Sequence, residues 1–500
     1  MNVIEAFARQ AVIQPRAPAI ITNERTITYR SLAANVAQLA ASLSKAGVGR
    51  RDVVAVVAPT FVQHVGLTMA IAQLGAVSLP LPPASRTGES EAIAAQCGVS
   101  FLVHTQGEGY HLAAPGIRKQ MSLQSLNSGP HATTPSIAQA EPGEMWRIGL
   151  SSGTTGRPKP MAFSHESMVL RSHLMRAIFP CGPGDRMMVF LGASLQFAVG
   201  YWMRTLSSGG ALVTSDLKPL AAMQAMRKHR VHFLLTSPGN AIALLKVAQA
   251  PQSPYAEPPP DLKMLCVGGS AVPPAVQEAL RRHLCPHLAI NYGVTEVGLL
   301  ALADDETLRQ DPTCAGRLVP WIDVQALGDD GHPLPPGQTG LLRMRSALMA
   351  LGYVGADPEV ARAFRDGWFH SSDIGSVASD GSVYLGGRTS DVLNLSGLKV
   401  DPARVEDAIA ADPAVLECVA LAAPIKSGEC VLVAVVVASE QIDKNALKKR
   451  CKDKLGIAMV PKAVFQLDSL PHNEGGKVAR DEVLKLIRHR PPAAPQPAAG

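Results

Sequence analysis

From residue 26 onward two apolar patterns alternate along the chain. Short runs of β-branched and aliphatic residues, a strand signal, are separated by stretches whose apolar positions recur at helical spacing. TITYR at 26–30 reads as a strand, SLAANVAQLAASLSKAG at 31–47 as a helix and DVVAVVA at 52–58 as a strand. Ser31 is the expected N-cap of that helix and Gly47 its expected stop, because a hydroxyl satisfies orphan N–H groups and glycine accepts a positive φ. A second helix is expected over 61–76, ending at Gly75, followed by a strand at 99–104. The rhythm continues with strands at 187–192, 211–215, 232–237, 262–269 and 288–293. Helices over 219–230, 239–249 and 273–284 lie between them. Such βα alternation predicts layered α/β sub-domains with largely parallel sheets.

After residue 315 the pattern changes to short strands separated by Gly, Asp and Pro turns, which is a β-hairpin signal. From residue 402 a helix (PARVEDAIAAD), strands (CVALAAP and CVLVAVVVA), a basic helix (KNALKKRCKDKL) and a last helix (ARDEVLKLIRHR) predict a small, separate α+β domain. PQSPYAEPPP at 251–260 is expected to be a surface loop. The tail PPAAPQPAAG, residues 491–500, is expected to be disordered. No internal repeat is evident.

Composition narrows the classes. Apolar residues make up 47% and charged residues 18% of the 500, which excludes a disordered, coiled-coil or collagen-like chain. At ~150 residues per domain, about three domains or sub-domains are expected. Lys plus Arg minus Asp plus Glu is 47 − 41 = +6, a mild excess that suits a small polyanionic ligand and does not call for nucleic acid. The eight cysteines, at 97, 181, 266, 285, 314, 418, 430 and 451, include no CxxC pair, so neither a zinc site nor a disulfide framework is expected. A reducing cytoplasm follows as the expected location. The N-terminal MNVIEAFARQAVIQP lacks a long apolar run and does not read as a signal peptide. No apolar run is long enough for a transmembrane span.

The segment richest in chemistry is Leu150-Ser-Ser-Gly-Thr-Thr-Gly-Arg-Pro-Lys159. Small hydroxyl residues and glycines after a strand expose N–H and O–H groups, as phosphate binding requires. The spacing is not that of a Walker A loop.

This string resembles the phosphate loop of the adenylate-forming superfamily, which comprises acyl- and aryl-CoA synthetases, peptide-synthetase adenylation domains and firefly-type luciferases. Other segments resemble that superfamily's motifs in the same order: Asn291-Tyr-Gly-Val-Thr-Glu296, Gly367-Trp-Phe-His-Ser-Ser-Asp373-Ile-Gly, Gly387-Arg-Thr-Ser-Asp391, Leu395-Ser-Gly-Leu-Lys-Val-Asp-Pro402 and Leu470-Pro-His-Asn-Glu-Gly-Gly-Lys477. The resemblance covers essentially the whole chain. It implies an α/β fold: a large N-terminal region of layered α/β sub-domains with a small β-barrel-like part (1–389), and a small mobile α+β C-terminal domain (391–490).

The resemblance also implies the reaction: ATP and a carboxylic acid give acyl-AMP and pyrophosphate, and a thiol then displaces AMP. ATP, Mg²⁺ and CoA are the implied cofactors and co-substrates. Ser151, Ser152, Gly153, Thr154, Thr155, Gly156 and Lys159 are expected along the phosphates, and Thr295 at the α-phosphate. Glu296 is the expected Mg²⁺ ligand. Tyr292 is expected on adenine, with Asn291, Gly293 and the strand end Gly268-Gly269-Ser270 beside it. Asp373, helped by Arg388, is expected to accept the ribose hydroxyls, since an ionised carboxylate is acceptor-only. Lys477 is expected between the carboxylate and the α-phosphate, where a cation lowers the repulsion of two reacting anions. Lys399 joins Lys477 and Thr295 as a catalytic candidate. Gly397 is expected beside the thiol arm.

Three positions depart from the motifs. Ser371-Ser372 stand before Asp373, Pro160 follows Lys159 and removes a backbone donor, and the hinge position is Ser390. Phe190-Leu-Gly-Ala-Ser194 offers no carboxylate where adenylation domains pair a substrate ammonium. An unpaired buried ammonium is costly, so an α-amino acid is disfavoured. Leu195-Gln-Phe-Ala-Val-Gly200-Tyr-Trp resembles benzoate-type CoA ligases, which makes Phe197 the expected gate between acyl pocket and thiol tunnel. The alternative is that Phe197, Tyr201 and Trp202 are simply the core face of a helix. Aryl and medium-length aliphatic acids both remain open. CoA is the first choice of acceptor and a carrier-protein phosphopantetheine the alternative. The helix carrying Lys448, Lys449, Arg450 and Lys452 could meet CoA phosphates or an acidic carrier, or simply face solvent. A non-catalytic acyl-nucleotide binder is the remaining class.

Overall fold

The computed structural model describes residues 1–82, 88–105, 110–127, 135–151, 158–395, 398–425, 430–473 and 476–488. Two large sheets organise the first four-fifths of the chain. In the larger one, parallel strands run in the order Pro18–Ile21, Ala211–Val213, Arg186–Phe190, Phe233–Thr236, Met264–Gly268 and Leu288–Val294. The hairpin strands expected after residue 315 add to the same ladder in antiparallel fashion through Gly298–Ala303, Gly316–Leu318, Ser382–Arg388, Trp368–Val377, Gly340–Ser346 and Ile322–Leu327. This end curls, so that Ile322–Leu327 also meets Trp368–Val377 and Gly316–Leu318. The curl needs glycine: Gly316 has φ +119°, and a Cβ there would lie 2.2 Å from Leu302 C.

The second sheet has the parallel strands Met145–Ser151, Val77–Pro80, Val53–Val57, Val99–His104 and Lys119–Ser122. Lys159–Ser164 and then Gly352–Tyr353 pair antiparallel beyond Met145–Ser151. Helices Tyr29–Lys45, Phe61–Gln73 and Gln196–Ser207 share one core with residues of both sheets. Residues 64–73 of the middle helix are all buried, as its nearly continuous apolar sequence requires.

Helix Tyr29–Lys45 corrects one sequence expectation. Its N-cap is Thr28, not Ser31; the Thr28 side chain accepts from Ser31 N at 3.2 Å. The helix starts early because Tyr29 is buried, its hydroxyl donating to Leu206 O at 3.0 Å and Gly210 O at 2.7 Å. Gly47 has φ +98° and ends the helix as expected.

The last part of the chain forms its own three-stranded sheet, Val415–Pro424, Cys430–Ala438 and Ala463–Gln466. Helices Pro402–Ala410 and Lys444–Leu455 cover one face. Helix Arg480–Arg488 covers the other through Val483 and Ile487. A 3₁₀ turn, Thr389–Asp391, joins this unit to the larger one, with Ser390 exposed. Residues 489–500, which include the expected disordered tail, lie outside the described residues.

Candidate active site

The candidate residues gather at the carboxyl ends of the parallel strands, where open α/β sheets place ligands. Gly268 ends strand Met264–Gly268, and Asn291, Tyr292 and Gly293 end Leu288–Val294. Gly269, Ser270 and Gly293 are exposed beside them.

Asp373 is buried on strand Trp368–Val377. Arg388 Nε donates to its Oδ1 at 2.6 Å and Tyr292 OH to its Oδ2 at 2.7 Å. Burial alone would lower the Arg388 pKa, but Asp373 more than offsets this and holds it raised. Burial pushes the Tyr292 phenol well above its ordinary range, and Asp373 pushes it further. The tyrosine thus stays a donor at any working pH.

A second corner forms around Glu296. Tyr353 OH donates to Glu296 Oε1 at 2.7 Å, and Lys159 Nζ sits 5.8 Å above the Tyr353 ring. Lys159 and Tyr353 come together because their strands pair, with Tyr353 opposite Met161. Pro160 does no harm here: Val354 N donates to its carbonyl at 2.9 Å. Arg171, buried on helix His165–Ile178, donates Nε to Leu348 O at 2.9 Å and Nη2 to Thr295 O at 3.3 Å. Burial brings its pKa down to about 10, with Glu296 opposing. Neither Tyr353 nor Arg171 was among the sequence candidates. Among the described residues no group of three or more His, Cys, Asp or Glu converges as a metal cage. One carboxylate, Glu296, fits Mg²⁺, which is ordinarily carried by one or two carboxylates plus substrate phosphates.

Lys477 reaches this site from the small unit. Burial lowers its pKa and Arg388 adds to that, while Asp373 and Glu296 oppose, so its ammonium feels both corners at once. Lys399 is exposed on the hairpin Leu393–Leu395/Leu398–Val400. Among the described residues no hydrogen bond or ion pair joins it to Asp373, Glu296 or Lys477.

Phe197, in the first turn of helix Gln196–Ser207, lies so close to the strand end that a Cβ on Gly268 would be 2.8 Å from its Cζ. Its ring meets Tyr201 edge-on at 5.5 Å. The Tyr201 hydroxyl lies 3.6 Å from Cys266 Sγ and accepts from Asn291 Nδ2. Asn291 therefore faces this aromatic corner. Trp202 is fully buried and donates to Ala193 O at 3.1 Å, a core role. In the basic helix, Lys448 donates to Lys462 O at 2.7 Å and Arg450 pairs with Asp412 at 3.3 Å, while Lys449 and Lys452 are exposed. Ser152, Gly153, Thr154, Thr155, Gly156 and Gly397 lie outside the described residues, as does the side chain of Ser151.

The chain is 29% identical over 485 residues to a feruloyl-CoA synthase of Amycolatopsis sp, covering 95% of this chain and 97% of the relative. It is 27% identical to a 3-hydroxybenzoate/4-hydroxybenzoate–CoA ligase of Thauera aromatica, over 94% of both chains. Its fold matches the anthranilate CoA ligase AuaEII in complex with anthranoyl-AMP, with TM-score 0.84, 21% identity and 97% of both chains covered. Residues 7–354 match the family described as AMP-binding enzyme, and residues 404–477 match its C-terminal domain. The family model covers more than half of the chain, and the chain belongs to the AMP-binding enzyme family.

Proposed function

We infer that this protein is an AMP-forming acid–thiol ligase that converts a carboxylic acid to its CoA thioester. In the first step a carboxylate oxygen attacks the α-phosphorus of ATP, the bond to pyrophosphate breaks, and acyl-AMP forms. In the second the thiolate of CoA attacks the acyl carbon and AMP leaves. Bound Mg²⁺ neutralises phosphate charge. The chain's own groups do the rest. Asp373 holds the ribose hydroxyls, Glu296 holds the metal, and Lys477 supplies positive charge where the two anions meet. Domain closure keeps water from the reactive anhydride. The observation that carries this reading is the buried Asp373 carboxylate, held by Arg388 and Tyr292 with acceptor sites left over for a diol.

The acid we propose is aromatic. The Phe197–Tyr201 corner supports this, and the relatives named above are ligases of aryl acids. We propose the domain boundary at the turn around Ser390, whose exposure supports it. A cytoplasmic location is proposed from the eight cysteines, all free. Among the described residues no helix is long and apolar enough to cross a membrane.

The test is pyrophosphate release from ATP and Mg²⁺ with a panel of benzoate, hydroxybenzoates, ferulate, anthranilate and medium-chain aliphatic acids, each with and without CoA. Release with an aryl acid and CoA-dependent formation of its thioester are expected. Pyrophosphate release without any thioester would move the acceptor to a carrier protein, and no release with any acid would overturn the enzyme reading.

A further inference from the structure

Helix Pro238–Gln249 of the large region touches the loop that carries Lys477. Its N-cap is Ser237, whose Oγ accepts from Asn240 N at 3.4 Å. Gly239, in its first turn, has no positive φ, so backbone conformation alone would admit any side chain. Space does not. A Cβ on Gly239 would lie 2.6 Å from Nε2 of His472 and 2.8 Å from its Cδ2 and Cε1. The imidazole therefore lays its face, at the Nε2 end, against bare backbone. On the loop itself, a Cβ on Gly476 would lie 2.1 Å from Ser237 Oγ. Two glycines, one on each side, allow the two units to meet this closely.

The contact is tied rigidly to Lys477. Gly476 N donates to Asn473 O at 2.8 Å, Asn473 N to Lys477 O at 2.8 Å, and Lys477 N to Asn473 Oδ1 at 3.0 Å. His472 is aimed from its own domain: its Nε2 lies 2.8 Å from Glu417 Oε1 on strand Val415–Pro424. Leu416, beside Glu417, packs against the large region's core, and Lys246, farther along the same helix, bonds Asp468 O.

We propose that His472, held by Glu417 against Gly239, is the positioning contact that seats Lys477 for acyl-AMP formation, and that this contact opens before the thiol step. The proposal rests on the two-step reading above. Its physical reason is distance. Lys477 acts by charge at the reacting atoms, and misplacement by about 1 Å can cost two orders of magnitude in rate. A loop whose register is fixed by Asn473 transmits any shift of His472 to Lys477.

The test separates the half-reactions, using the acid from the panel that the wild type turns over fastest. Gly239→Val should lower acyl-AMP formation about tenfold or more, because it removes an interaction used in that transition state alone. Conversion of supplied acyl-AMP and CoA to thioester should stay at the wild-type rate. His472→Ala makes room for the new side chain, so the double variant Gly239→Val/His472→Ala should recover most of the adenylation lost. Normal adenylation by Gly239→Val would overturn the seat. So would equal loss of both half-reactions with no recovery in the double variant, which marks damage to the helix. A wild type that adenylates no acid would instead overturn the functional reading itself.

Discussion

Asp373 has about four lone-pair sites, and Arg388 and Tyr292 occupy one each. Two stay available for a ribose diol, and the two donors fix the plane in which they lie. Tyr292→Phe keeps the ring and removes the O–H. A hydrogen bond to a charged group contributes about 1.5–3 kcal/mol, and because the ribose can repair part of that loss, ATP affinity by calorimetry should fall roughly three- to thirtyfold. Affinity equal to wild type would mean that the tyrosine hydroxyl does not orient the carboxylate. Lys477 makes a prediction about pH. Its lowered pKa means that the active, charged form is lost at a lower pH than for an ordinary lysine. The alkaline limb of acyl-AMP formation should begin correspondingly early, and Lys477→Arg, charged throughout, should move that limb upward even if the rate falls. A limb that does not move would assign it to another group. The residues named in these tests were legible because each stands in a short motif. Tyr353 and Arg171 were not, because they reach Glu296 and Thr295 from 57 and 124 positions away and neither segment carries a local signature.

At the scale of elements, helix His165–Ile178 is joined to the Thr295–Glu296 turn by one buried guanidinium. Arg171 bonds two carbonyls, of Leu348 and Thr295, and stands over the Phe163 ring at 5.0 Å. Gly298, with φ +105°, lets the turn pass close to it. Arg171→Met keeps the apolar bulk and deletes the donors. It leaves both carbonyls to find other partners, at about 1–3 kcal/mol each if they do not. The expected outcome is a raised Mg²⁺ requirement and a fall in turnover, with ATP affinity changed little. An unaltered metal dependence would make Arg171 a packing residue only. Helix and strand types were readable from periodicity over many segments of the parallel part, but strands Pro18–Ile21, Val77–Pro80 and Lys119–Ser122 and helix His165–Ile178 were not among them. The start of helix Tyr29–Lys45 was not, because TYRS offers two hydroxyl caps and the choice depends on carbonyls at 206 and 210 that bury Tyr29.

At the scale of the molecule, the proposed site draws on residues of both the large and the small unit. Asp373 lies on a strand of the large sheet and Glu296 in the turn between two of its strands, and Lys477 follows the small sheet. Lys477→Ala should therefore cut acyl-AMP formation by about two orders of magnitude or more, as loss of a transition-state charge does, and largely spare thioester formation from supplied acyl-AMP. Equal losses in both steps would remove support for a rotating small domain. The sequence by itself determined the order of elements, the α/β class, the change to hairpins after residue 315, the separate final domain and the motif residues. All of these are written in local spacing, which needs no knowledge of what lies across the fold. Only the tertiary structure decided that the hairpins continue the parallel ladder, that Asn291 turns to Tyr201 while Tyr292 turns to Asp373, and that Gly239 lies beneath His472. Strand pairing, side-chain facing and domain contact are long-range packing outcomes. They are fixed by which surfaces exclude water together, and no stretch of chain records its partner.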